Sequence, residues 1–437
     1  MTLKFGTDGL RGVAGSELTA ELTVALGRAA ARVLGGPRFL IGRDTRLSSS
    51  WLESALAAGL AAEGVDVELL GVLPTPGVAW HSANEQVPAA VISASHNPYQ
   101  DNGIKLFAAG GRKLADDVEQ RLELELASSI PSSGPVGLVR RRVRADEPYI
   151  EFLAGSLGGQ GLDGLSVVLD CANGAASHVA PTVFEAAGCD VEVLFATPDG
   201  TNINAGCGST HPETLQKRVV ESHADVGLAF DGDADRVLAV DHTGRLIDGD
   251  HVLAMCAIDL AERNALKDRT VVVTVMTNLG FRLAMQQRDI GVIETKVGDR
   301  YVLEALDAEG LSLGGEQSGH IIFRDVATSG DGVLTGLQLL ALVQRSGRRL
   351  ADLADDAMTS LPQVLRNVRV AVRGVDVTAA VAADVAAVES ELGDHGRVLI
   401  RPSGTEPLVR VMVEAPSTEQ AESVAARLVA AVERAAG

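Results

Sequence analysis

Aromatic residues are scarce in this chain: Phe, Tyr and Trp together make up 3% of 437 residues. The cores must be packed with Ala, Val, Leu and Gly instead. Cysteine is scarcer still, with Cys171, Cys189, Cys207 and Cys256 widely spaced and no CxxC pair. That spacing speaks against a zinc site or a disulfide framework and fits a reducing compartment. No apolar run reaches the roughly 20 residues of a membrane-spanning helix. The opening Met1-Thr2-Leu3-Lys4-Phe5-Gly6 has no signal-peptide apolar core, so a soluble, cytoplasmic protein with no membrane partner is expected. Cations are outnumbered too. Against 58 Asp and Glu stand 38 Lys and Arg, a formal net charge of -20. This argues against non-specific nucleic-acid binding, which needs a positive face. An anionic substrate would have to be drawn in by a local cluster of arginines and a metal, against the global field.

What is present is an ordinary globular composition, 46% hydrophobic, long enough for about three domains. One pattern recurs three times. Arg38 to Gly42 reads as a strand, followed by a polar turn, a helix from about Ser50 to Ala62, Gly64 and a strand over Val65 to Leu70. The second copy runs from Ser166 to Leu169, through a turn at Cys171-Ala172-Asn173-Gly174 and a helix to Ala187, to Val191–Leu194. The third runs from Thr270 to Val275, through a turn at Thr277-Asn278 and a helix to about Gln287, to Val292–Glu294. Strand–turn–helix–Gly–strand is the signature of a parallel sheet with crossover helices. Any α/β protein of this size repeats such units, but the spacing suits one copy per domain. Breaker-rich and glycine-flanked segments set the boundaries: Ser128 to Pro135, Gly244 to Gly249, and Leu361-Pro362-Gln363. The expected domains are residues 1–145, 146–247, 248–366 and 367–437. The last should close with a helix from about Glu419, with Ser417 and Gln420 in capping-box spacing.

The chemistry centres on Val91-Ile92-Ser93-Ala94-Ser95-His96-Asn97-Pro98, where an apolar strand would end and present the Ser95 hydroxyl at its tip. A serine hydroxyl is a poor nucleophile unless it is activated or already carries a transferable group. A phosphorylated Ser95 would add nearly two negative charges, which calls for a cation nearby. Phe230-Asp231-Gly232-Asp233-Ala234-Asp235-Arg236 offers one, with carboxylates at i, i+2 and i+4 that an extended or curled loop could aim at a magnesium ion. An EF-hand fails at Arg236 and His242, where glycine and glutamate belong. The bland alternative, an acidic surface turn, sits poorly after so apolar a run.

Arg401-Pro402-Ser403-Gly404-Thr405-Glu406-Pro407 has the parts of a phosphate cradle: a planar cationic fork, two hydroxyls and an unhindered backbone N–H, with Arg410 as a second fork. A proline-bounded turn is the plain alternative. In Leu313-Gly314-Gly315-Glu316-Gln317-Ser318-Gly319-His320, Glu316 and Ser318 share one side if the chain is extended and suit vicinal sugar hydroxyls. His320 is a candidate proton carrier or phosphate donor, although a lone histidine is more often structural. The glycine-rich entry Phe5 to Gly12 would bring Arg11 close to an anion. A tight turn at Asn102-Gly103 would fold Lys105 back onto Ser95; otherwise Lys105 is a solvated surface lysine.

Together and in this order, the four loops resemble those of the α-D-phosphohexomutase superfamily, over essentially the whole chain. Within it, Phe5-Gly6-Thr7-Asp8-Gly9-Leu10-Arg11-Gly12, Asn202-Ile203-Asn204 leading into Cys207-Gly208-Ser209-Thr210-His211-Pro212, and Val297-Gly298-Asp299-Arg300-Tyr301-Val302 resemble the branch acting on glucosamine phosphates. The resemblance implies an α/β protein with three similar mixed α/β domains plus a smaller C-terminal α+β domain around a central active-site cleft. It implies Ser95 as the phosphoserine, and Asp231, Asp233 and Asp235 holding Mg2+ with a phosphoserine oxygen. Glu316 and Ser318 would bind sugar hydroxyls. Arg401, Ser403, Gly404, Thr405 and Arg410 would hold the phosphate that is not reacting. Arg11, His96, Lys105, Arg236 and His320 would line the reacting end.

The implied reaction converts glucosamine 6-phosphate to glucosamine 1-phosphate through glucosamine 1,6-bisphosphate, which also fits the role of activator. This would supply amino-sugar and peptidoglycan precursors in the cytoplasm. The general base would be Lys105, with its pKa depressed by adjacent cations, or His320. The last domain is expected to open and close. Priming of Ser95 falls to a kinase or to autophosphorylation, and a homodimer fits. Asp299 is a candidate contact for the C2 amine. Phosphomannomutase or phosphoglucomutase activity is the nearest alternative. More distant rivals are an aspartyl-phosphate enzyme using Asp231 and a silent sugar-phosphate sensor.

Overall fold

The structure, a computed structural model, describes residues 9–126, 134–370, 377–402 and 407–436. It divides into two compact units. The first holds residues 1–276 and 290–355, and the second holds 277–289 and 356–437.

The first unit contains three sheets. The first sheet is built from β1 (Leu10–Val13), β2 (Arg38–Arg43), β3 (Asp66–Val72), β4 (Ala89–Ile92), β5 (Asp101–Ala108), β6 (Arg112–Lys113) and β7 (Val139–Arg141). Its order is β1-β5-β4-β2-β3-β7, with β6 beside β5. The second has β8 (Ser166–Asp170), β9 (Asp190–Leu194), β10 (Val226–Phe230), β11 (Val237–Asp241) and β12 (Leu246–Ile247), in the order β12-β11-β10-β8-β9. The third has β13 (Thr270–Thr274), β14 (Gly291–Thr295), β15 (Leu313–Gly315) and β16 (Ile321–Phe323), in the order β14-β13-β15-β16.

The three sheets share one wiring. In each, a first strand lies between two parallel partners: β2 between β3 and β4, β8 between β9 and β10, and β13 between β14 and β15. The third strand then turns back into an antiparallel neighbour, β4 into β5, β10 into β11 and β15 into β16. The repeat read in the sequence covers the first and second strands of each set. Three loops therefore occupy one topological position, between the third strand and its antiparallel return. They are residues 93–100, 231–236 and 316–320.

Small residues set the packing where aromatics are few. Helix Ala20–Leu34 starts at Thr19, whose side chain accepts from the Leu22 N–H. It packs on helix Ser49–Ala62 through glycines: a Cβ on Gly27 would lie 2.4 Å from the Leu56 carbonyl oxygen, and one on Gly59 would lie 2.2 Å from that of Val24. Leu26, Leu52, Leu56 and Leu60 are fully buried around this crossing with Phe39 and Ile41. Fully burying side chains of this kind stabilises by about 1.5–3 kcal/mol each.

The second unit has an antiparallel sheet of β17 (Gln363–Arg369), β18 (Arg397–Pro402) and β19 (Leu408–Glu414), in the order β17-β19-β18. Its core joins Val364, Val368, Val409, Val411 and Val413 to Val424, Leu428 and Val432 of helix Thr418–Ala436. The Gln420 N–H donates to Ser417 Oγ at 3.2 Å, the backbone half of the expected cap. Helix Leu279–Gln286 belongs here. The Leu279 N–H donates to the buried Glu414 carboxylate at 2.9 Å, and Asn278 Nδ2 donates to the Leu361 carbonyl at 3.0 Å. Among the described residues no helix is long and apolar enough to cross a membrane, and the four cysteines are buried free thiols.

Candidate active site

Strand β4 ends at Ile92, and Ser95 follows in the left-handed region at φ 52°, only 1% exposed. Its Oγ donates to Asp231 Oδ2 at 2.6 Å and lies 3.2 Å from His96 Nδ1. The Arg236 guanidinium also donates to His96 Nδ1, at 3.2 Å. Burial, with Arg236 and Arg11 close by, pushes the His96 imidazole pKa down, so a neutral ring faces the serine oxygen.

The acidic loop curls rather than running extended. Ala234, at φ 57°, supports the turn, and the three carboxylates each offer an oxygen within 4.8 Å of the others. Asp231, Asp233 and Asp235 are all buried. Thr75 Oγ1 donates to Asp233 Oδ2 at 2.6 Å, and Lys105 Nζ lies 2.8 Å from Asp233 and 3.3 Å from Asp235. Burial, together with Asp235 and Asp233, raises the Asp231 carboxyl pKa well above the ordinary range. For Asp235, burial acts in the same direction but is outweighed by Lys105, His320 and Arg236, which hold it well below.

Asp233 Oδ1 and Asp235 Oδ1 are buried without a hydrogen-bond donor. Buried carboxylate oxygens in that condition are costly unless a cation meets them. Three carboxylates, each with an oxygen convergent on the others, fit magnesium. A phosphoryl group on Ser95 would strengthen the need, since nearly two further negative charges would enter the same pocket.

His320 faces two carboxylates, Nδ1 at 3.7 Å from Asp235 and Nε2 at 3.5 Å from Asp299. Burial opposes its charge, yet Asp235, Asp299 and Glu316 raise its pKa overall. Glu316 Oε1 accepts from the Gly298 N–H at 3.0 Å, whereas the buried Ser318 Oγ has no hydrogen-bond partner. Arg11 lies on β1, opposite Gly103 of β5. In the second unit Arg401 and Arg410 stand directly opposite each other on β18 and β19. Burial and the Arg410 charge lower the Arg401 pKa. Ser403, Gly404 and Thr405, like Phe5 to Asp8, lie outside the described residues.

Local expectations change at several points. Asn102-Gly103 is not a turn but part of β5, held extended by pairing with Gly12 and Arg11 of β1; the reversal falls in the Ser95 loop, and Lys105 sits opposite Val91. Among the described residues, Lys105 Nζ meets the carboxylates of Asp233 and Asp235. Residues 316–320 form a tight turn, closed by the Gly319 N–H on the Glu316 carbonyl, rather than an extended stretch. Asp299 is already ion-paired with Lys113, at 2.5 Å.

The sequence reading missed Asp44, Arg46, Ser93, Thr75 and Asn204. Arg46 is fully buried, and its guanidinium donates to the carbonyls of Ser95 and Asn97. Its signal was an acidic and a basic residue in the polar turn after an apolar strand, Asp44-Thr45-Arg46, where a solvated turn was the simpler reading.

Sequence models of the four phosphoglucomutase/phosphomannomutase domains match this chain: alpha/beta/alpha domain I over residues 2–130, domain II over 147–244, domain III over 248–361 and the C-terminal domain over 365–431. A phosphoglucosamine mutase of Rhodococcus jostii is 54% identical over 440 residues, covering 98% of both chains. A crystal structure of a phosphoglucomutase/phosphomannomutase family protein from Burkholderia thailandensis superposes with a TM-score of 0.83 at 27% identity, covering 99% of this chain and 97% of that one. The structure of Aspergillus fumigatus N-acetylphosphoglucosamine mutase in complex with GlcNAc-6P and magnesium shares the fold, with a TM-score of 0.74 at 20% identity over 100% of this chain and 96% of that one. Three α/β/α domains with a separate C-terminal domain, and full-length likeness of this kind, place the chain in the phosphoglucomutase/phosphomannomutase family of enzymes, in its phosphoglucosamine mutase branch.

Proposed function

We propose that this enzyme interconverts glucosamine 6-phosphate and glucosamine 1-phosphate, with Ser95 as the phosphoryl carrier. The observation that carries the reading is the 2.6 Å hydrogen bond from Ser95 Oγ to Asp231, at the edge of the three-carboxylate cluster. Asp231, Asp233 and Asp235 would hold magnesium, which supplies positive charge against the negative charge spreading over the phosphoryl oxygens.

In the first half-reaction the bond from phosphorus to Ser95 Oγ breaks and a bond from phosphorus to substrate O1 forms. The O1 proton passes to Lys105 or His320, and that base returns a proton to the freed serine oxygen, whose hydroxyl then donates to Asp231. Glucosamine 1,6-bisphosphate is then present, and transfer of its 6-phosphoryl group to Ser95 completes the cycle. Arg11 and Arg236 face the reacting phosphoryl group beside the neutral His96. Glu316 and Ser318 orient the sugar hydroxyls; the buried, partnerless Ser318 hydroxyl suits that task. Arg401 and Arg410, with Ser403, Gly404 and Thr405, hold the other phosphate. The ligands of the fungal relative, a hexosamine phosphate and magnesium, support the substrate class and the ion. The domain divisions after residues 145, 247 and 366, and cytoplasmic supply of cell-wall precursors, belong to the same reading.

The test is a coupled assay with glucosamine, glucose and mannose 6-phosphates and a Ser95→Ala control. Preference for the amino sugar, lost with the serine, is expected. Equal rates on all three would remove the narrow substrate and leave the family reaction.

A further inference from the structure

Ser95 has an unusual backbone for its task. A non-glycine residue at positive φ persists only where its surroundings over-determine it, and each of its peptide groups is gripped. The Ser95 N–H donates to Ser93 Oγ at 3.0 Å, and Ser93 Oγ donates in turn to Asp44 Oδ2 at 2.7 Å. The Ser95 carbonyl accepts from Arg46 Nη2 at 2.8 Å and from Asn204 Nδ2 at 2.9 Å. The same two donors meet again on the Asn97 carbonyl, at 2.9 and 3.0 Å.

Arg46 comes from the turn after β2 and is fixed by its Nε on Asp44, at 2.8 Å. Asn204 comes from the chain that follows β9, is 8% exposed, and is itself held at φ 57° by donating its N–H to the Ala172 carbonyl at 2.9 Å. One cation and one amide, from two different sheets, thus close on the same pair of carbonyls. The metal loop is braced in a related way, since the Ala175 N–H, just past the turn after β8, donates to the Gly232 carbonyl at 2.8 Å.

We propose that Asn204 and Arg46 are a matched pair of positioning residues that clamp the Ser95 and Asn97 carbonyls and so aim Ser95 Oγ at the acidic cluster. Neither touches the reacting atoms. Arg46 anchors the clamp from the sheet that bears Ser95, and Asn204 ties that loop to the sheet that bears the aspartates. A serine free to rotate its peptide groups would lose the 2.6 Å approach to Asp231 while the sugar site stayed as it is. The clamp should therefore act on phosphoryl transfer and not on substrate binding. The inference rests on Ser95 as the phosphoryl carrier.

Asn204→Asp is the informative change. Aspartate keeps the size and accepts positive φ, but its carboxylate donates nothing and faces two carbonyl oxygens. Asn204→Gly is the companion, retaining the backbone freedom without the amide. The full chain is mixed with glucose 1,6-bisphosphate and magnesium, and phosphorylation of Ser95 is followed by mass spectrometry in a single turnover. Steady-state kcat, KM for glucosamine 6-phosphate and the melting midpoint are measured alongside. The expected result is a fall of about 10- to 100-fold in both the phosphorylation rate and kcat, with KM and melting midpoint close to those of the parent. Wild-type rates in both variants would overturn the clamp, as would a rise in KM with kcat retained, or loss of the fold in both. Absence of label on Ser95 in the parent protein would instead remove the underlying reading.

Discussion

The two regions proposed to meet phosphate are built differently, one from carboxylates interleaved with cations and the other from cations facing each other. The Ser95 region of the first unit gathers three buried carboxylates and sets Lys105, Arg236 and His320 against them, so its charges are already largely paired. The Arg401–Arg410 pair of the second unit is cationic, two guanidiniums facing each other across β18 and β19. Burial together with the charge of Arg410 already disfavours the charge on Arg401. The lesson is about what each region can do. A guanidinium pair relieved by any phosphate suits holding. A carboxylate cluster that would hold a metal suits transfer, because that ion's charge would act where negative charge develops in the transition state.

The contrast breaks most sharply at the serine. Ser95→Ala should lower turnover by roughly 10³-fold or more while leaving substrate affinity within a few-fold; rates and a binding titration check it, and retained turnover would dissolve the distinction. Asp233→Asn should reduce kcat by about 100-fold and raise the magnesium needed for activity. Metal binding has a readout of its own: a ligand at 100 times its Kd stabilises by about 2.7 kcal/mol, so magnesium should raise the melting midpoint of the parent and much less that of this variant. Arg401→Ala should behave differently, raising KM by about tenfold with kcat nearly kept, and more at low salt than at high. Similar kcat losses in both regions would erase the difference between transfer and holding.

A smaller effect concerns a buried carboxylate held by N–H groups instead of a cation. Asp170 accepts from the N–H of Ala172 and Gly208 at 2.9 Å each, and burial pushes its pKa up to about 6. The folded state therefore keeps a proton that the unfolded chain releases near pH 4. The stability this confers is complete below about pH 4 and is lost as pH rises through about 6, by roughly 2–3 kcal/mol. Denaturant unfolding at pH 4.5 and 7 should show this loss in the parent and not in Asp170→Asn.

How much was legible in the sequence follows from locality. The Ser95, Asp231–Asp235 and Glu316–His320 loops each sit between a short apolar strand and its antiparallel return, so their positions could be read from strand endings. The repeated strand–helix–strand units were visible for the same reason. Arg46 and Asn204 could not be found that way, because each acts on a carbonyl far along the chain, and a buried arginine in a polar turn looks like a solvated one. At Asn102-Gly103 a strong turn pair is overridden by strand pairing with β1. The extended reading of Glu316 to Ser318 missed that Gly319, at φ 87°, lets the loop close on itself.

The claim on which all of this depends is that one serine carries the group in transit. Exposing the protein to a sugar bisphosphate labelled in its phosphoryl groups, then mapping the label by peptide, addresses it directly. The account predicts a single alkali-resistant label on Ser95 that is discharged by adding glucosamine 6-phosphate. An alkali-labile label on Asp231, or turnover with Ser95 never labelled, would contradict it.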